Sequence, residues 1–416
     1  MKKVIAACMI GNALEWYDFA LFGQFAVILS KLFFPQHDSY VGMVATYTIF
    51  ATGFLMRPIG GIIFGYIGDR YGRKVSLVVS ILMMALPTAL IGVLPTYDQI
   101  GIWAPIILCL IRLIQGASIG GEFSGCIAFL VEYSPMNKRG LIGSVSMISL
   151  VLGMLLGSVV AILVSKCMPV ESFETWGWRI PFLIGIVIAI IGIYVRLGLR
   201  ESPIYIKAKE KKSLSQKPVR EIFNEYLPPL FIAIGLYLTV TVPFYSLTIF
   251  IQSYMSKYMG FSYNEALNIN LMSLSILIII LPISAYFSDI YGRKKVMRYS
   301  AYGIVLFIYP IIWLLHLGNF NMAIVSQVIF AILVGAYMGP IPAVLVELFP
   351  TRVRFTGVAL SYNLSAALFG GTAPLVATWL VTNIRTDSIA MYIILFVVLT
   401  LITLKYYKET YRKALV

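Results

Sequence analysis

The chain has 416 residues, of which 60% are hydrophobic and 12% charged, with a formal net charge of +14 and a mean hydropathy of +0.89. A soluble protein is about 45–50% apolar and about 25% charged, so this composition excludes a soluble fold and predicts an all-α integral membrane protein. The four cysteines and two histidines show neither disulfide nor metal-ligand spacing, so we predict no metal site and no cofactor.

Apolar runs of about 20 residues recur along the chain, each long enough to cross a hydrocarbon core of ~30 Å. They predict twelve transmembrane helices over residues 4–29, 41–66, 75–95, 102–128, 141–166, 179–199, 227–253, 263–287, 296–316, 321–346, 357–381 and 389–406. The first run carries acids at its middle and continues too long for a cleavable signal peptide. His37 and His316 fall in a predicted loop and at a span end, where solvated or interfacial side chains are expected.

The first predicted span contains two acids, Glu15 and Asp18, about halfway along its length. At 100° per residue, these acids share one helix face with Phe19 and Phe22, and Trp16 lies at the edge of that face. An ionisable group at mid-bilayer costs at least ~2.5 kcal/mol, so such groups face a cavity and find partners. We therefore expect this face to line a central, water-accessible cavity.

Two arginines lie at depths compatible with these acids, Arg57 in the second span and Arg112 in the fourth, so ion pairs across the cavity are expected. Further along the fourth span, Glu122 shares a helix face with Gln115. The alternative is a static cluster that only fixes helix packing, although buried ion pairs are poor net stabilisers. Glu122 could also simply pair with a basic loop residue.

The last six spans carry no comparable set of charges near their middles. They offer neutral polar and aromatic groups instead, among them Tyr237, Thr239, Thr241, Tyr245, Tyr337 and Asn363. We therefore expect proton coupling to belong to the first half of the chain, with neutral substrate contacts from the second half.

The positive charges are distributed asymmetrically between the loops on the two sides of the membrane. With the N-terminus inside, most lysines and arginines fall on the cytoplasmic side, which predicts cytoplasmic termini in a cell inner or plasma membrane and explains the charge without nucleic acid. A long polar stretch divides the spans, predicting an N-terminal bundle over 1–199, a cytoplasmic linker over 200–226 and a C-terminal bundle over 227–416. We expect a solvated linker, with binding to anionic lipid as the alternative.

Two loop motifs recur in the two halves. "GYIGDRYGRK" matches "AYFSDIYGRK" at an offset of 220 residues, and "VEYSPMNKR" matches "VELFPTRVR" at an offset of 215. The repeated residues are Asp69, Gly72 and Arg73 with Asp289, Gly292 and Arg293, and Glu132 and Arg139 with Glu347 and Arg354. Two markers at matching points predict two pseudo-symmetric six-helix bundles in parallel orientation.

The first motif has a chemical interpretation. Gly72 permits a tight turn with positive φ, and Asp69 offers a charged acceptor to a neighbouring helix end. Arg73 can bridge to an acid on another span, such as Glu132. These links would hold the inner side closed and break when the halves rock. A turn that only obeys the positive-inside rule would explain the basic residues but not the repeated Asp and Gly.

These motifs, together with "GNALEWYDFALFG", "RPIGGIIFGYIGDRYGRK", "RLIQGASIGGEFSG", "VEYSPMNKRG" and "WGWRIPF", resemble the major facilitator superfamily (MFS), especially its metabolite:H+ symporter branch with the proline/betaine transporters. The resemblance covers nearly the whole chain. It implies the MFS fold of twelve transmembrane helices and a role for Arg112 in proton coupling. Osmosensing members carry a long coiled-coil extension at the C-terminus, and this chain stops at Val416, so the sequence leaves osmotic regulation through such a tail open.

The combined expectation is a monomeric symporter that uses the proton gradient to take up a small zwitterion, such as proline or glycine betaine, by alternating access. The zwitterion would set its carboxylate near Arg57 or Arg112 and its cationic nitrogen near an acid and aromatic rings. The alternative is an organic acid such as 2-oxoglutarate or citrate, since two buried arginines suit a dicarboxylate. Neither the nucleophile and base of an enzyme nor the filter loops of a channel stand out.

Overall fold

The computed structural model describes residues 1–34 and 39–415, apart from the side chains of residues 39–44, 47, 50 and 263. The long helices are α1 (Lys2–Gln24), α2 (Ser39–Arg70), α3 (Arg73–Val93), α4 (Trp103–Tyr133), α5 (Val145–Lys166), α6 (Arg179–Leu197), α7 (Leu227–Tyr258), α8 (Tyr263–Tyr291), α9 (Arg293–His316), α10 (Phe320–Met338), α11 (Arg354–Asn383) and α12 (Ser388–Tyr406). Each of the twelve predicted spans coincides with one of them. His37 lies outside the described residues.

Most of these helices are long and apolar enough to cross a membrane. Eleven such helices are found among the described residues, and α2, with 32 residues, coincides with the remaining predicted span. The stretch expected to be a solvated linker contains two short helices, Pro203–Glu210 and Pro218–Glu225. Two further short helices, Arg139–Gly143 and Ile341–Glu347, stand next to α5 and α10.

The helices pack as two similar sets. In the first, α1 packs against α4, α5 and α6, and α4 also packs against α2 and α3. In the second, α7 packs against α10, α11 and α12, and α10 also packs against α8 and α9. The two sets meet where α2 lies against α11 and α5 against α8. The space between α1, α4, α7 and α11 is therefore enclosed by both halves.

Glycines allow α2 and α4 to approach within backbone contact. A Cβ atom at Gly60 would overlap the carbonyl oxygen of Ala117, whereas a Cβ at Gly53 would lie 3.7 Å from its nearest neighbour, the carbonyl oxygen of Arg112. We expect Gly60→Ala to lower the free energy of unfolding by about 1–3 kcal/mol, because the two helices would be forced apart. The measurement is the melting temperature of the purified protein.

The matched control is Gly53→Ala on the same helix. Alanine is the better helix former, so Gly53→Ala should leave the melting temperature unchanged or slightly raised. If both variants lost the same stability, the backbone contact at Gly60 would not be its cause.

Candidate functional site

The two ends of the helical bundle differ in charge. One end carries the repeated loop motifs and most of the lysines and arginines; we call it the basic end, formed by residues 69–74, 132–139, 200–226, 289–295 and 347–354. The opposite end contains the exposed ion pair of Lys31 with Glu174, at 3.3 Å, and the exposed Cys167. The bundle axis therefore runs from a strongly basic end to an end with few charges.

Asp18 on α1 is ion-paired with Arg112 on α4. Nη1 of Arg112 donates to Oδ2 of Asp18 at 2.7 Å, and Nε2 of Gln115 donates to Oδ1 at 3.0 Å. The Phe22 ring covers the guanidinium group, with its centroid 3.7 Å from Cζ. The pairing expected from helix depth is therefore present inside the N-terminal half, where Phe22 shields it. Nε and Nη2 of Arg112 have no hydrogen-bond partner among the described residues.

Glu15 and Arg57 form a looser pair of buried charges. Both oxygens of Glu15 are buried without a hydrogen-bond donor among the described residues, and Nε of Arg57 is buried without an acceptor among them. The two charges interact electrostatically without an ion-pair contact. Nη1 of Arg57 lies 3.4 Å from the hydroxyl oxygen of Tyr245, and its Cζ lies 4.3 Å from the ring centroid of Phe54. The site thus holds polar groups whose bonding capacity is unused.

Aromatic rings from both halves lie around Arg57; we call Trp16, Phe19, Phe54, Phe244 and Tyr245 the aromatic cluster. The ring centroids of Trp16 and Phe19 are 5.1 Å apart, and those of Trp16 and Phe244 are 6.1 Å apart. Phe54 joins the halves, since its centroid lies 5.9 Å from that of Tyr245. The π-helical turn Ser246–Phe250 follows directly and interrupts the α-helical hydrogen-bond pattern of α7 at this point.

The space inside the aromatic cluster is closed. The cavity bounded by Trp16, Tyr237, Phe244, Tyr245 and Tyr362 has a volume of about 10 Å³, and one water needs about 10–15 Å³ of such volume. The indole Nε1 of Trp16 and the hydroxyl of Tyr362 are buried there without a hydrogen-bond partner among the described residues. A ligand would need the rings to move before it could meet these groups.

Glu122 lies apart from the aromatic cluster, toward the basic end. Its carboxylate binds Arg196 of α6 through both oxygens, with Nη1 of Arg196 at 2.8 Å from Oε2, and accepts a hydrogen bond from Ser80 Oγ at 2.6 Å. Nε of Arg196 donates to the carbonyl oxygen of Ala7 at 3.3 Å. Arg196 is not among the site residues predicted from the sequence, although an arginine inside the sixth span was the available signal. The partner of Glu122 is thus within a helix and not in a loop.

Glu132 binds arginines of both halves at the basic end. Its Oε1 accepts from Nη2 of Arg73 at 3.4 Å and from Nη1 of Arg354 at 2.9 Å. Arg73 also donates to the carbonyl oxygen of Thr351 at 2.8 Å. The expected bridge from Arg73 to Glu132 is present, and Arg354 extends it across the boundary between the halves.

The second half repeats this arrangement. Nη2 of Arg293 lies 3.3 Å from Oε1 of Glu347, and Nη1 of Arg139, from the other half, lies 3.9 Å from the same atom. Each acid therefore has one arginine from its own half and one from the opposite half. The basic end is closed by two crossed ion-pair networks related by the internal pseudo-symmetry.

The two repeated aspartates cap helix N-termini across the boundary. Asp69 accepts from the N–H groups of Phe355 and Thr356 at the start of α11, at 3.1 and 2.9 Å. Asp289 accepts from the first N–H groups of the short helix Arg139–Gly143 at 2.9 and 2.8 Å. A carboxylate at a helix N-terminus is favoured by the unsatisfied N–H groups and the helix dipole. Gly72 and Gly292 take φ values of 120° and 101°, as predicted for the turn.

A third repeated pair was not recognised in the sequence. Glu201 follows α6 and accepts from the N–H of Lys74 at 3.1 Å; Glu409 follows α12 and accepts from the N–H of Lys294 at 2.9 Å. The next hydroxyl residues bind the acids of the crossed networks, Ser202 to Glu132 and Thr410 to Glu347. Burial raises the pKa of the Glu201 carboxyl, partly offset by its N–H donors. The signal was an acid followed by a hydroxyl residue, at an offset of 208.

Comparison with known proteins identifies the family. The family model described as sugar (and other) transporter matches residues 3–224 and 206–416. The chain belongs to this family. This transporter is 34% identical over 425 residues to the glycine betaine/proline/ectoine/pipecolic acid transporter OusA of Dickeya dadantii (strain 3937), with 100% of this chain and 85% of that protein covered. The same values hold for the proline/betaine transporter of Escherichia coli (strain K12).

The solved structures agree on the fold. The transporter matches the proton:xylose symporter XylE bound to 6-bromo-6-deoxy-D-glucose with a TM-score of 0.83 and 18% identity, over 99% of this chain and 97% of that one. The predicted MFS fold and the resemblance to proline/betaine transporters are therefore confirmed. The protein is a multi-pass membrane transporter of a small molecule and not an enzyme.

Proposed function

We propose that this transporter couples inward proton movement to uptake of a small zwitterion of the proline or glycine betaine type by alternating access. The observation that carries the proposal is the unused bonding capacity of two buried charges, Glu15 and Arg57, of which Arg57 lies against rings of the aromatic cluster. A buried, unpaired charge costs several kcal/mol. The cationic nitrogen of a zwitterion would compensate Glu15 and meet aromatic faces worth ~0.5–2 kcal/mol each. Its carboxylate would meet Arg57.

The proton is assigned to the pair of Asp18 and Arg112. This pair lies inside the N-terminal half and is not part of the aromatic cluster, so a proton and a substrate can be held at separate positions. Protonation of Asp18 would weaken its bond to Arg112 and free the guanidinium group. Arg112 already has two nitrogens without partners among the described residues, so once released it would offer the substrate carboxylate a second arginine besides Arg57. Proton and substrate binding are thereby coupled through one arginine.

The transport cycle follows from the closed basic end. We assign this end to the cytoplasmic side of the inner membrane, with both termini inside, because positive loops favour that orientation. The two halves would then rock, opening the crossed networks of Glu132 and Glu347 while the rings of the aromatic cluster stay closed toward the other side. The protein would carry out this cycle as a monomer in the lipid bilayer, without a cofactor.

The test is uptake by purified protein in proteoliposomes with an imposed inward proton gradient. Labelled proline, glycine betaine and 2-oxoglutarate are compared side by side, with protein-free liposomes as the blank. Saturable accumulation of either zwitterion, abolished by an uncoupler, is expected. The organic acid alternative is favoured by the N–H groups of both buried arginines that lack partners among the described residues. Accumulation of 2-oxoglutarate alone would establish that alternative and disprove the zwitterion proposal.

A further inference from the structure

A second, larger cavity lies between the halves, on the side away from the basic end; we call it the outer cavity. It has a volume of about 290 Å³ and is bounded by α1, the short helix Ala26–Phe33 that follows it, α5, α7 and α8. By the measure used for the closed space, one water needs about 10–15 Å³, so this volume has room for roughly 20 waters and hence for a solute as small as proline or glycine betaine. The closed space inside the aromatic cluster, at about 10 Å³, could not hold such a molecule in this conformation.

The wall of the outer cavity is uncharged, and six of its sixteen described lining residues are polar. None of its described lining residues is acidic or basic; the polar ones are Gln24, Ser158, Thr248, Gln252, Ser253 and Asn270. Gln24 Nε2 donates to Ser158 Oγ at 2.6 Å, and Asn270 Nδ2 donates to the carbonyl oxygen of Thr248 at 2.9 Å. Oδ1 of Asn270 is buried without a partner among the described residues, and the residue is 5% exposed. A buried acceptor without a donor is what a bound polar ligand would satisfy.

Phe19 separates this cavity from the aromatic cluster's interior. Its side chain lines the outer cavity, and its ring packs on Trp16 at 5.1 Å and on Phe54 at 5.7 Å between centroids. A solute in the outer cavity is therefore separated from Arg57 by Phe19 and by the rings of Trp16 and Phe54 on which Phe19 packs. Movement of Phe19 and Trp16 would let it pass inward.

We propose that the outer cavity is a binding site of its own, for one small polar solute without net charge, filled before the central site. The inference rests on the proposed function for the direction of passage. Amide and hydroxyl groups can donate to and accept from the opposite charges of a zwitterion. A net anion or cation would enter without a counter-charge, at a large desolvation cost. The outer cavity would thus select for net neutrality before the charged site is reached.

The test uses a cysteine in place of Gly23 as a reporter. A Cβ atom at Gly23 has no neighbour within 4 Å, so Gly23→Cys places a thiol in the cavity without a clash. The background carries Cys109→Ser and Cys167→Ser, while Cys8 and Cys126 are buried. The rate of labelling by a charged, membrane-impermeant maleimide is measured in detergent with proline, glycine betaine, 2-oxoglutarate or choline. Saturating proline or glycine betaine should slow labelling at least fivefold, and the two ions should not.

Two controls separate the site from its surroundings. A chain that keeps Cys167, exposed at the same end, and lacks the Gly23 substitution should label at the same rate with every solute. Ser253→Cys, on the opposite wall, replaces Gly23→Cys as reporter if that variant does not fold.

The decisive variant adds Glu15→Gln and Arg57→Gln to the reporter chain. These two substitutions disable the central site, so uptake should be lost while the solute still protects the reporter thiol from labelling.

The outcomes distinguish this inference from the proposed function. Protection that disappears with Glu15→Gln and Arg57→Gln would show that the outer cavity is only an entrance to the central site. Protection by 2-oxoglutarate or choline would overturn selection for net neutrality, and no protection by any solute would overturn the site. If the intact protein failed to accumulate zwitterions, the proposed function would fail, while the labelling rates would still decide whether the outer cavity binds them.

Discussion

Replacing Asp18 with Asn is expected to abolish uphill accumulation of substrate while leaving exchange of labelled for unlabelled substrate across the membrane intact. One proton moving with a zwitterion down 100 mV supplies about 2.3 kcal/mol, which supports an accumulation of about 50-fold. Asparagine keeps an acceptor for Arg112 but cannot change charge, so the accumulation ratio should fall to one. The measurement is the steady-state ratio of labelled substrate in proteoliposomes under an imposed potential.

Two further acids provide the comparison. Glu174→Gln removes an exposed acid paired with Lys31 at the opposite end from the basic loops, and it should leave accumulation unchanged. Glu15→Gln should weaken substrate binding at least tenfold but preserve coupling, because Glu15 is assigned to the cationic nitrogen of the substrate and not to the proton. Full accumulation by Asp18→Asn would disprove the assignment of the coupled proton to Asp18. Loss of coupling in Glu15→Gln alone would exchange the assigned roles of the two acids.

Much of the fold was predictable because it depends on one-dimensional patterns. Span length, loop charge and the two repeated motifs are local features, and they predicted the twelve helices, the glycine turns and the bridge from Arg73 to Glu132. The pair of Asp18 and Arg112 was predictable as well, since depth along two helices can be counted from the sequence. Neighbouring helices then bring groups of equal depth together.

The parts that escaped prediction depend on which helices are neighbours and which halves touch. Arg196 lies at a predictable depth, but only the packing of α6 on α1 and α3 brings it to Glu122. Helix periodicity placed Phe19 and Phe22 on one face, yet Phe19 packs in the aromatic cluster while Phe22 covers Arg112. The caps on α11 and on the short helix before α5 join residues more than a hundred positions apart. A single sequence contains no record of such contacts.

Glu132→Gln is expected to open the basic end. Glu132 is the shared counter-charge of Arg73 and Arg354, whose side chains are 0% and 1% exposed. Removing one member of a buried ion pair costs about 3–5 kcal/mol. That cost falls on the closed state, so the ratio of open to closed molecules should rise at least about 100-fold. The measurement is the distance distribution between spin labels at Tyr71→Cys and Tyr291→Cys, both exposed, in a background lacking Cys109 and Cys167.

The matched control removes an acid from the same end without touching the crossed networks. Glu221 pairs with Arg352 at 2.7 Å, but the Arg352 side chain is 42% exposed, and exposed pairs contribute about 0–1 kcal/mol. Glu221→Gln should therefore leave the label distances unchanged, whereas Glu132→Gln should add a population at longer distance. If the distance between the labels increased equally in both variants, the opening would be due to the change in net charge and not to the loss of the crossed network. If Glu132→Gln stayed closed, the helix caps of Asp69 and Asp289 would be sufficient to hold the two halves together.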